Sequence, residues 1–456
     1  MSVQTDWIER TFGVRASGST LRTELRAGLT TFLTMAYVLF VNPDILGQAI
    51  PVPDARAQLL TATALAAAAG SILMGLLARY PFAQAPGMGL NAYFTFTVVL
   101  GQKVSWQAAL GAVFLVGLVF ALLSQGGVRQ AIVSSLPANL KQAMTAGVGL
   151  FLAFIGLKKA GLVVAHPATL VALGPLTSPG PLLAMFGVLL TAVLIAKRVP
   201  AAILIGIGLT TLLAMVTRAP VWEGAGGALG PFGGLDSIGA PVRLPVWPRD
   251  LFLALDLRGA LRPELFGVLF TMLFVAIFDT AGTLIGLSSE AHLLDARGEL
   301  PRAGRAFLSD ALASSVGALF GSSTTTAYIE SAAGIHEGGR TGLTAVVVGV
   351  LFLLATLLWP LLAVVPGVAT APALILVGAL MLSSLRRVDW SDASETVPVF
   401  FTVAGMALTY SIANGVGLGI ISYVAQKLGT GQLRRLPKLL IVLAVLLCLR
   451  YALIRD

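Results

Sequence analysis

Two apolar stretches of the chain each carry one acidic residue. LFVAIFDTAGTLIGL at residues 273–287 contains Asp279, and TTTAYIESAAGI at residues 324–335 contains Glu330. An Asp at the centre of a membrane helix costs about 2.5–3.5 kcal/mol on insertion scales. Acidic residues at this depth face the interior of a helical bundle and mark substrate or proton sites. The two stretches therefore predict a binding site inside a membrane.

The composition around these stretches is that of a polytopic membrane protein. Hydrophobic residues make up 57% of the 456 residues, and Asp, Glu, Lys and Arg together make up 11%, against about 25% in soluble domains. Apolar runs recur from Leu25 almost to the C-terminus, and many are long enough to cross a bilayer. They lack the alternation of a transmembrane β-barrel, so we expect an all-α protein embedded in the lipid bilayer.

The net charge of +9 does not indicate a nucleic-acid partner, because the basic residues are scattered singly or in pairs at predicted loops. By the positive-inside rule they predict a multi-pass protein of the cell inner membrane with its N-terminus in the cytoplasm. Lys158, Lys159 and Arg218 are exceptions to this assignment. The single Cys448 excludes an intramolecular disulfide and a cysteine-rich metal site. No cofactor, metal or enzymatic motif is predicted.

The apolar segments form two sets of seven, separated by a Gly- and Pro-rich polar stretch at 219–260. The first set is 26–46, 58–78, 87–101, 106–124, 139–157, 180–197 and 200–217. The second set is 263–287, 305–320, 326–337, 341–359, 367–385, 395–411 and 413–428. A further apolar segment at 438–454 is an extra span, an interfacial helix or the true last span, and the sequence leaves these alternatives open.

The third segment of each set, 87–101 and 326–337, is too short to cross a bilayer. We predict that each is a half-helix preceded by a short extended segment. Seven is an odd number, so the second set is inverted relative to the first. The predicted fold is thus about 14 transmembrane segments in two inverted repeats, and interrupted segments at matching positions of such repeats indicate a transporter binding site.

The half-helices are expected to direct backbone N–H groups towards the two acids at the centre of the membrane. This combination suits a flat polar ligand with N–H donors and ring acceptors. Asn91 offers a donor and an acceptor, unless it caps its half-helix or pairs with the opposite repeat. Tyr93, Tyr328 or Phe94 offers a ring for stacking. Asp279 either contacts the ligand or bonds Thr283, one turn further on.

Four stretches, taken in order, resemble one known family. They are TTFLTMAYVLFVNPDIL at 30–46, QAPGMGLNAYFTF at 84–96, FDTAGTLIGL at 278–287 and SSTTTAYIESAAGIHEGGRTGL at 322–343. They are similar to the azaguanine-resistance-like purine permeases, a branch of the nucleobase–cation symporter and nucleobase–ascorbate transporter superfamily. The resemblance implies proton-coupled uptake of adenine, guanine and hypoxanthine by alternating access.

The resemblance also implies a core and a gate domain. The implied parts are a cytoplasmic segment 1–25, core 26–125 and 262–359, gate 126–218 and 360–456, and an extracytoplasmic loop 219–261. The implied substrate-binding residues are Asp279, Glu330, Asn91, Thr31 and Thr34, to which we add Gly89, Tyr328 and Thr283. Either acid is a candidate carrier of the coupling proton. Thr31 and Thr34 have an alternative role, because Thr in membrane helices often bonds its own helix.

Two other functions stay open. One is an anion transporter of the same fold, for sulfate or bicarbonate, although two nearby carboxylates would repel an anion. The other is a channel or scaffold without coupled transport. The choice among purines, and between a monomer and a homodimer formed by gate helices, does not follow from the sequence.

Overall fold

The computed structural model is helical throughout most of its length. It describes residues 3–124, 137–223, 229–233, 240–295, 300–432 and 436–453. In these residues, eight helical segments are long and apolar enough to cross a membrane, and four further apolar helices are shorter. Each of the fourteen predicted segments falls on a helix. The prediction of an all-α polytopic membrane protein is confirmed.

The helices and strands follow the order of the predicted segments. The helices of the first half are α1 (Val3–Phe12), α2 (Leu21–Met35), α3 (Val38–Leu46), α4 (Ala55–Leu73), α5 (Met88–Ala92), α6 (Trp106–Leu123), α7 (Ala138–Lys159), α8 (Pro179–Ala196) and α9 (Ala202–Val216). Those of the second half are α10 (Leu257–Ala260), α11 (Phe266–Glu290), α12 (Ala303–Leu319), α13 (Ser331–His336), α14 (Gly342–Ala355), α15 (Trp359–Ala363), α16 (Gly367–Met381), α17 (Ala393–Leu408), α18 (Ile412–Gly429) and α19 (Lys438–Leu453).

Shorter elements complete this framework. The strands are β1 (Gln84–Pro86), β2 (Val163–His166), β3 (Leu170–Leu173), β4 (Trp222–Glu223), β5 (Leu229–Gly230) and β6 (Thr325–Ala327). π-Helical turns extend α4 over Met74–Ala78 and α5 over Tyr93–Gly101. 3₁₀ turns cover Pro263–Leu265, Thr356–Leu358 and Leu382–Arg387. The hairpins β2–β3 and β4–β5 have no counterpart among the sequence predictions.

Polar side chains fix where several of the apolar helices begin. The hydroxyl of Thr20 accepts from the backbone N–H of Thr23 at the start of α2, and Thr341 caps α14 in the same way. Asp392 and Ser411 cap α17 and α18. Such caps satisfy N–H groups that have no partner within the helix, so the helix boundaries follow from local sequence.

The chain consists of two compact units. The first comprises Met1–Gln125 and Gly156–Ala373, and the second comprises Gly126–Ile155 and Leu374–Asp456. The first unit contains both half-helices and both acids named above. In the second unit, α17 and α18 pack together, and the buried ammonium of Lys427 pairs with Glu395 at 2.8 Å and donates to Ser394 Oγ at 2.7 Å.

Small residues let helices of the first unit approach closely. A Cβ on Gly117 of α6 would lie 2.8 Å from the carbonyl oxygen of Ala311 on α12. A Cβ on Gly349 of α14 would lie 2.9 Å from the carbonyl oxygen of Ala68 on α4. Membrane helices associate through such small residues because lipid supplies no hydrophobic driving force between them. α4, α6, α12 and α14 therefore form the tightly packed centre of this unit.

The two predicted extended segments pair with each other. β1 and β6 are antiparallel, with Gln84 opposite Ala327 and Pro86 opposite Thr325. Each strand leads into a short helix: α5 and its π-helical continuation cover five plus nine residues, and α13 covers six. Both fall short of the roughly 20 residues that a bilayer requires. The predicted half-helices with extended lead-ins are confirmed.

One basic residue that departs from the topology prediction has an internal partner. Lys159, at the end of α7, forms an ion pair with Asp44, and its ammonium also donates to Thr370 Oγ1 at 3.0 Å. Thr370 in turn donates to Asp44 Oδ2 at 2.6 Å. Because Asp44 compensates its charge, Lys159 has little reason to follow the positive-inside rule.

Candidate functional site

Asp279 lies in the middle of α11 with its side chain partly buried. Its neighbours Phe278 and Thr280 are buried. No residue that the structure describes forms a hydrogen bond or ion pair with the Asp279 carboxylate. Thr283, one turn further on, is also partly exposed and makes no bond to it. The Asp279 carboxylate is therefore available as an acceptor for a ligand.

Glu330 immediately precedes the half-helix α13 and is partly exposed. The hydroxyl of Tyr37 donates to its Oε1 at 2.7 Å. Tyr37 was not among the predicted site residues. It belongs to the quoted stretch at 30–46, where a Tyr within an apolar run signals a hydroxyl that needs a buried partner. The sequence does not reveal which partner that is.

Thr31 and Thr34 both lie on α2, but their hydroxyls differ. Thr34 Oγ1 donates to the carbonyl oxygen of Thr31 at 2.8 Å and lies 3.5 Å from the carbonyl oxygen of Glu330. Thr31 is fully buried, and its Oγ1 has no hydrogen-bond partner among the described residues. A side chain added at Gly334 of α13 would collide with this hydroxyl. α2 thus packs directly on the half-helix that follows Glu330.

Asn91 is fully buried in α5, and both ends of its amide are occupied. Its Nδ2 donates to Asn42 Oδ1, and its Oδ1 accepts from Ser323 Oγ. Asn42 belongs to α3, whereas Ser323 lies two residues before β6, so Asn91 joins α3 and the second repeat to the first half-helix. A ligand could contact this amide only by replacing one of these bonds. Gly89 lies in the first turn of the same half-helix and is partly exposed.

Tyr328 directly follows β6, next to the segments that carry the two acids. It is buried, and its hydroxyl donates to the carbonyl oxygen of Pro86 at 2.6 Å. Thr280, the residue after Asp279, has its Oγ1 3.4 Å from Thr326 Oγ1 in β6, and Tyr328 and Glu330 follow this strand within three residues. The two acids predicted from separate stretches therefore belong to one region, beside the paired strands β1 and β6.

A third carboxylate, Asp310 of α12, was missed from the sequence. It is 1% exposed and accepts from Thr280 Oγ1 at 2.5 Å, from Gln84 Nε2 at 3.1 Å and from the backbone N–H of Ala327 at 2.9 Å. These donors belong to α11, β1 and β6. Asp310 thus ties the helix that carries Asp279 to both extended segments. The available signal was an acid among small residues within the predicted segment 305–320.

No set of described His, Cys, Asp or Glu side chains is grouped so that it could hold a metal ion. The site instead offers carboxylates, hydroxyls and a buried tyrosine ring. These groups suit an uncharged polar ring with N–H donors, because carboxylates only accept hydrogen bonds when ionised.

A family model described as "Permease family" matches residues 22–418. The chain belongs to this family, that of the nucleobase–ascorbate transporters. It is a multi-pass membrane permease and not an enzyme. The family resemblance inferred from the four stretches is confirmed.

Curated relatives and a solved structure cover most of this permease. Adenine permease AdeP of Escherichia coli (strain K12) is 45% identical over 443 residues, which are 97% of this chain and 95% of the relative. Guanine/hypoxanthine permease PbuG of Bacillus subtilis (strain 168) is 44% identical over 441 residues, 95% of this chain and 97% of the relative. The transmembrane domain of a cyanobacterium bicarbonate transporter, BicA, superposes with a TM-score of 0.61 at 16% identity, over 86% of this chain and 97% of that one.

The likeness to BicA concerns the fold alone, because so low an identity carries no information about the ligand. It agrees with the two inverted repeats predicted from the sequence, and that fold class is confirmed.

Proposed function

We propose that this permease takes up purine nucleobases, namely adenine, guanine and hypoxanthine, across the cytoplasmic membrane. The observation that carries the proposal is the position of Asp279 and Glu330 beside the paired strands and half-helices, in a chain whose relatives at 44–45% identity are named adenine and guanine/hypoxanthine permeases. Each carboxylate can accept an N–H of the base, and the Tyr328 ring can stack on it.

The other predicted residues take supporting roles in this proposal. Thr34 lies beside the backbone of Glu330, Thr31 packs against α13, Thr283 lies one turn from Asp279, and Gly89 lies in the first turn of α5. Asn91 acts mainly by holding α5 to Asn42 and Ser323, because its amide is already bonded at both ends.

A neutral base fits this site better than an anion does. Two ionised carboxylates close to one buried tyrosine create a negative potential that opposes bicarbonate or sulfate, and the screening by water and salt that weakens such repulsion at a surface is reduced in a buried site. A channel without coupled transport has no need of two acids beside two half-helices. We therefore propose a carrier that transports one base in each cycle.

The mechanism that we propose is alternating access coupled to protons. Core residues 26–125 and 262–359 would carry the base past gate residues 126–218 and 360–456, with the N-terminus in the cytoplasm and the gate helices as the candidate surface of a homodimer. Asp279 or Glu330 would take up a proton outside and release it inside.

Substrate identity is tested by competition. In cells that lack other purine permeases, we expect this protein to accumulate labelled hypoxanthine, and unlabelled adenine and guanine to compete, because they present similar N–H and ring-nitrogen edges. Xanthine and uracil are expected to compete weakly. Cells with the empty vector are the control. Failure to accumulate any of the three purines, or inhibition by bicarbonate alone, would contradict the proposal.

Proton coupling is tested separately. We expect uptake to increase when the outside medium is made acidic, because a symported proton then enters down a larger gradient. A protonophore should abolish accumulation above the outside concentration while leaving exchange of internal for external base. Accumulation that is indifferent to both treatments would exclude proton coupling without excluding purine transport.

A further inference from the structure

We propose that Tyr37 is a positioning residue, which holds the Glu330 carboxylate in the orientation that binds the base. The inference rests on the proposed function. Tyr37 acts through its hydrogen bond to Glu330 and is not proposed to touch the base itself.

Local backbone geometry brings Tyr37 to the half-helix. α2 ends at Met35 and α3 begins at Val38, so Ala36 and Tyr37 form the turn between them. There the backbone hydrogen bonds tighten: Leu39 N donates to Ala36 O at 3.1 Å and Phe40 N to Tyr37 O at 3.0 Å, both three residues apart. A stretch of 3₁₀ geometry inside a helix often marks a functional hinge or a strained sequence.

The bond itself is short and buried. Tyr37 is 2% exposed, and the 2.7 Å between its Oη and Glu330 Oε1 is typical of a hydroxyl bonded to a carboxylate. Among the described residues, no second side chain donates to this carboxylate. Tyr37 therefore holds Oε1 of Glu330, and the carboxylate, which has about four acceptor sites, can still accept an N–H of the ligand.

Holding one oxygen in advance favours binding. A Glu side chain has three rotatable bonds, and fixing them when the ligand arrives would oppose binding by the lost conformational entropy. Tyr37 removes part of this loss by restricting the side chain before the base enters. The base then meets one acceptor at a defined position.

The test separates the hydroxyl from the ring. Tyr37→Phe keeps the buried ring and removes only the donor. We expect the KM for labelled hypoxanthine to rise about tenfold, with Vmax per transporter within about twofold of wild type. The matched control is Tyr80→Phe: Tyr80 is also 2% exposed, but its hydroxyl accepts from the backbone N–H of Arg302 at 3.1 Å and is not hydrogen-bonded to either acid. Its KM should not change.

A second variant ties the effect to Glu330. Glu330→Asp shortens the side chain by one methylene and withdraws its carboxylate from Tyr37. In this background Tyr37→Phe should have no further effect on the Kd of the purified protein for labelled hypoxanthine, since the bond is already lost.

Each outcome is decisive for one claim. An unchanged KM in Tyr37→Phe would overturn the inference, and so would equal increments in Kd with and without Glu330→Asp. If Tyr37→Phe lowers only the amount of folded protein, with Kd unchanged, the hydroxyl is structural and the inference fails. If the wild type neither binds nor transports any purine, the proposed function fails instead.

Discussion

Replacing Asp279 by Asn, or Glu330 by Gln, is expected to reduce the Vmax/KM of purine uptake by about 10–150-fold. Each substitution keeps the size of the side chain but removes its charge. A hydrogen bond to a charged group contributes about 1.5–3 kcal/mol, which corresponds to about 10–150-fold in affinity. The amide also cannot exchange a proton, so the variant that lacks the coupling acid loses accumulation as well as affinity.

Uptake is measured with labelled adenine and hypoxanthine, normalised to the amount of permease in the membrane. The matched control is Glu290→Gln, at the end of the same helix as Asp279. The Glu290 side chain is 48% exposed and pairs with His336 at 2.9 Å, and an exposed pair contributes little. Near-normal uptake by Asp279→Asn or by Glu330→Gln would remove that acid from the proposed site.

The same two variants distinguish binding from coupling. A variant that still exchanges internal for external base, yet no longer accumulates it, has lost the proton carrier and kept the binding site. A variant that loses both has lost the binding site. If each acid supports exchange when the other is replaced, neither acid alone is essential for binding.

Features that depend on local sequence could be predicted. The half-helices follow from segments too short to cross a bilayer beside Pro86 and Gly321, and the two acids stand out because their neighbours are apolar. The paired strands also agree with the prediction, since each half-helix needs an extended lead-in. Each of these signals lies within a window of about 11–18 residues, the range over which helix and turn patterns are informative.

Features that depend on distant partners could not be predicted. Asp310 bonds Gln84 across 226 positions of the sequence and Ala327 across 17. Tyr37 meets Glu330 across 293 positions. Asn91 was assigned to the ligand or to the opposite repeat, and only the structure reveals its bonds to Asn42 and Ser323. A single sequence shows which side chains are polar, but the fold determines which of them contact each other.

Asp310→Ala is expected to leave little folded permease, whereas Asp310→Asn should remain folded. Alanine would leave the Thr280 hydroxyl, the Gln84 amide and the Ala327 N–H without their acceptor in a buried site. Each unsatisfied group costs about 1–3 kcal/mol, and proteins are stable by only about 5–15 kcal/mol. Asparagine keeps one oxygen for two of these donors, and its Nδ2 can donate to the Thr280 hydroxyl, which then acts as acceptor.

The two variants are compared by size-exclusion chromatography and thermal unfolding in detergent, with Asp310→Asn as the size-matched control. The expected result is a monodisperse peak for Asp310→Asn and an aggregated or absent peak for Asp310→Ala. Equal yields and equal unfolding temperatures would mean that the strands β1 and β6 are held without Asp310. In that case the half-helices would be fixed by their own backbone pairing, and the precise placement of Asp279 would have to come from the packing of α11 alone.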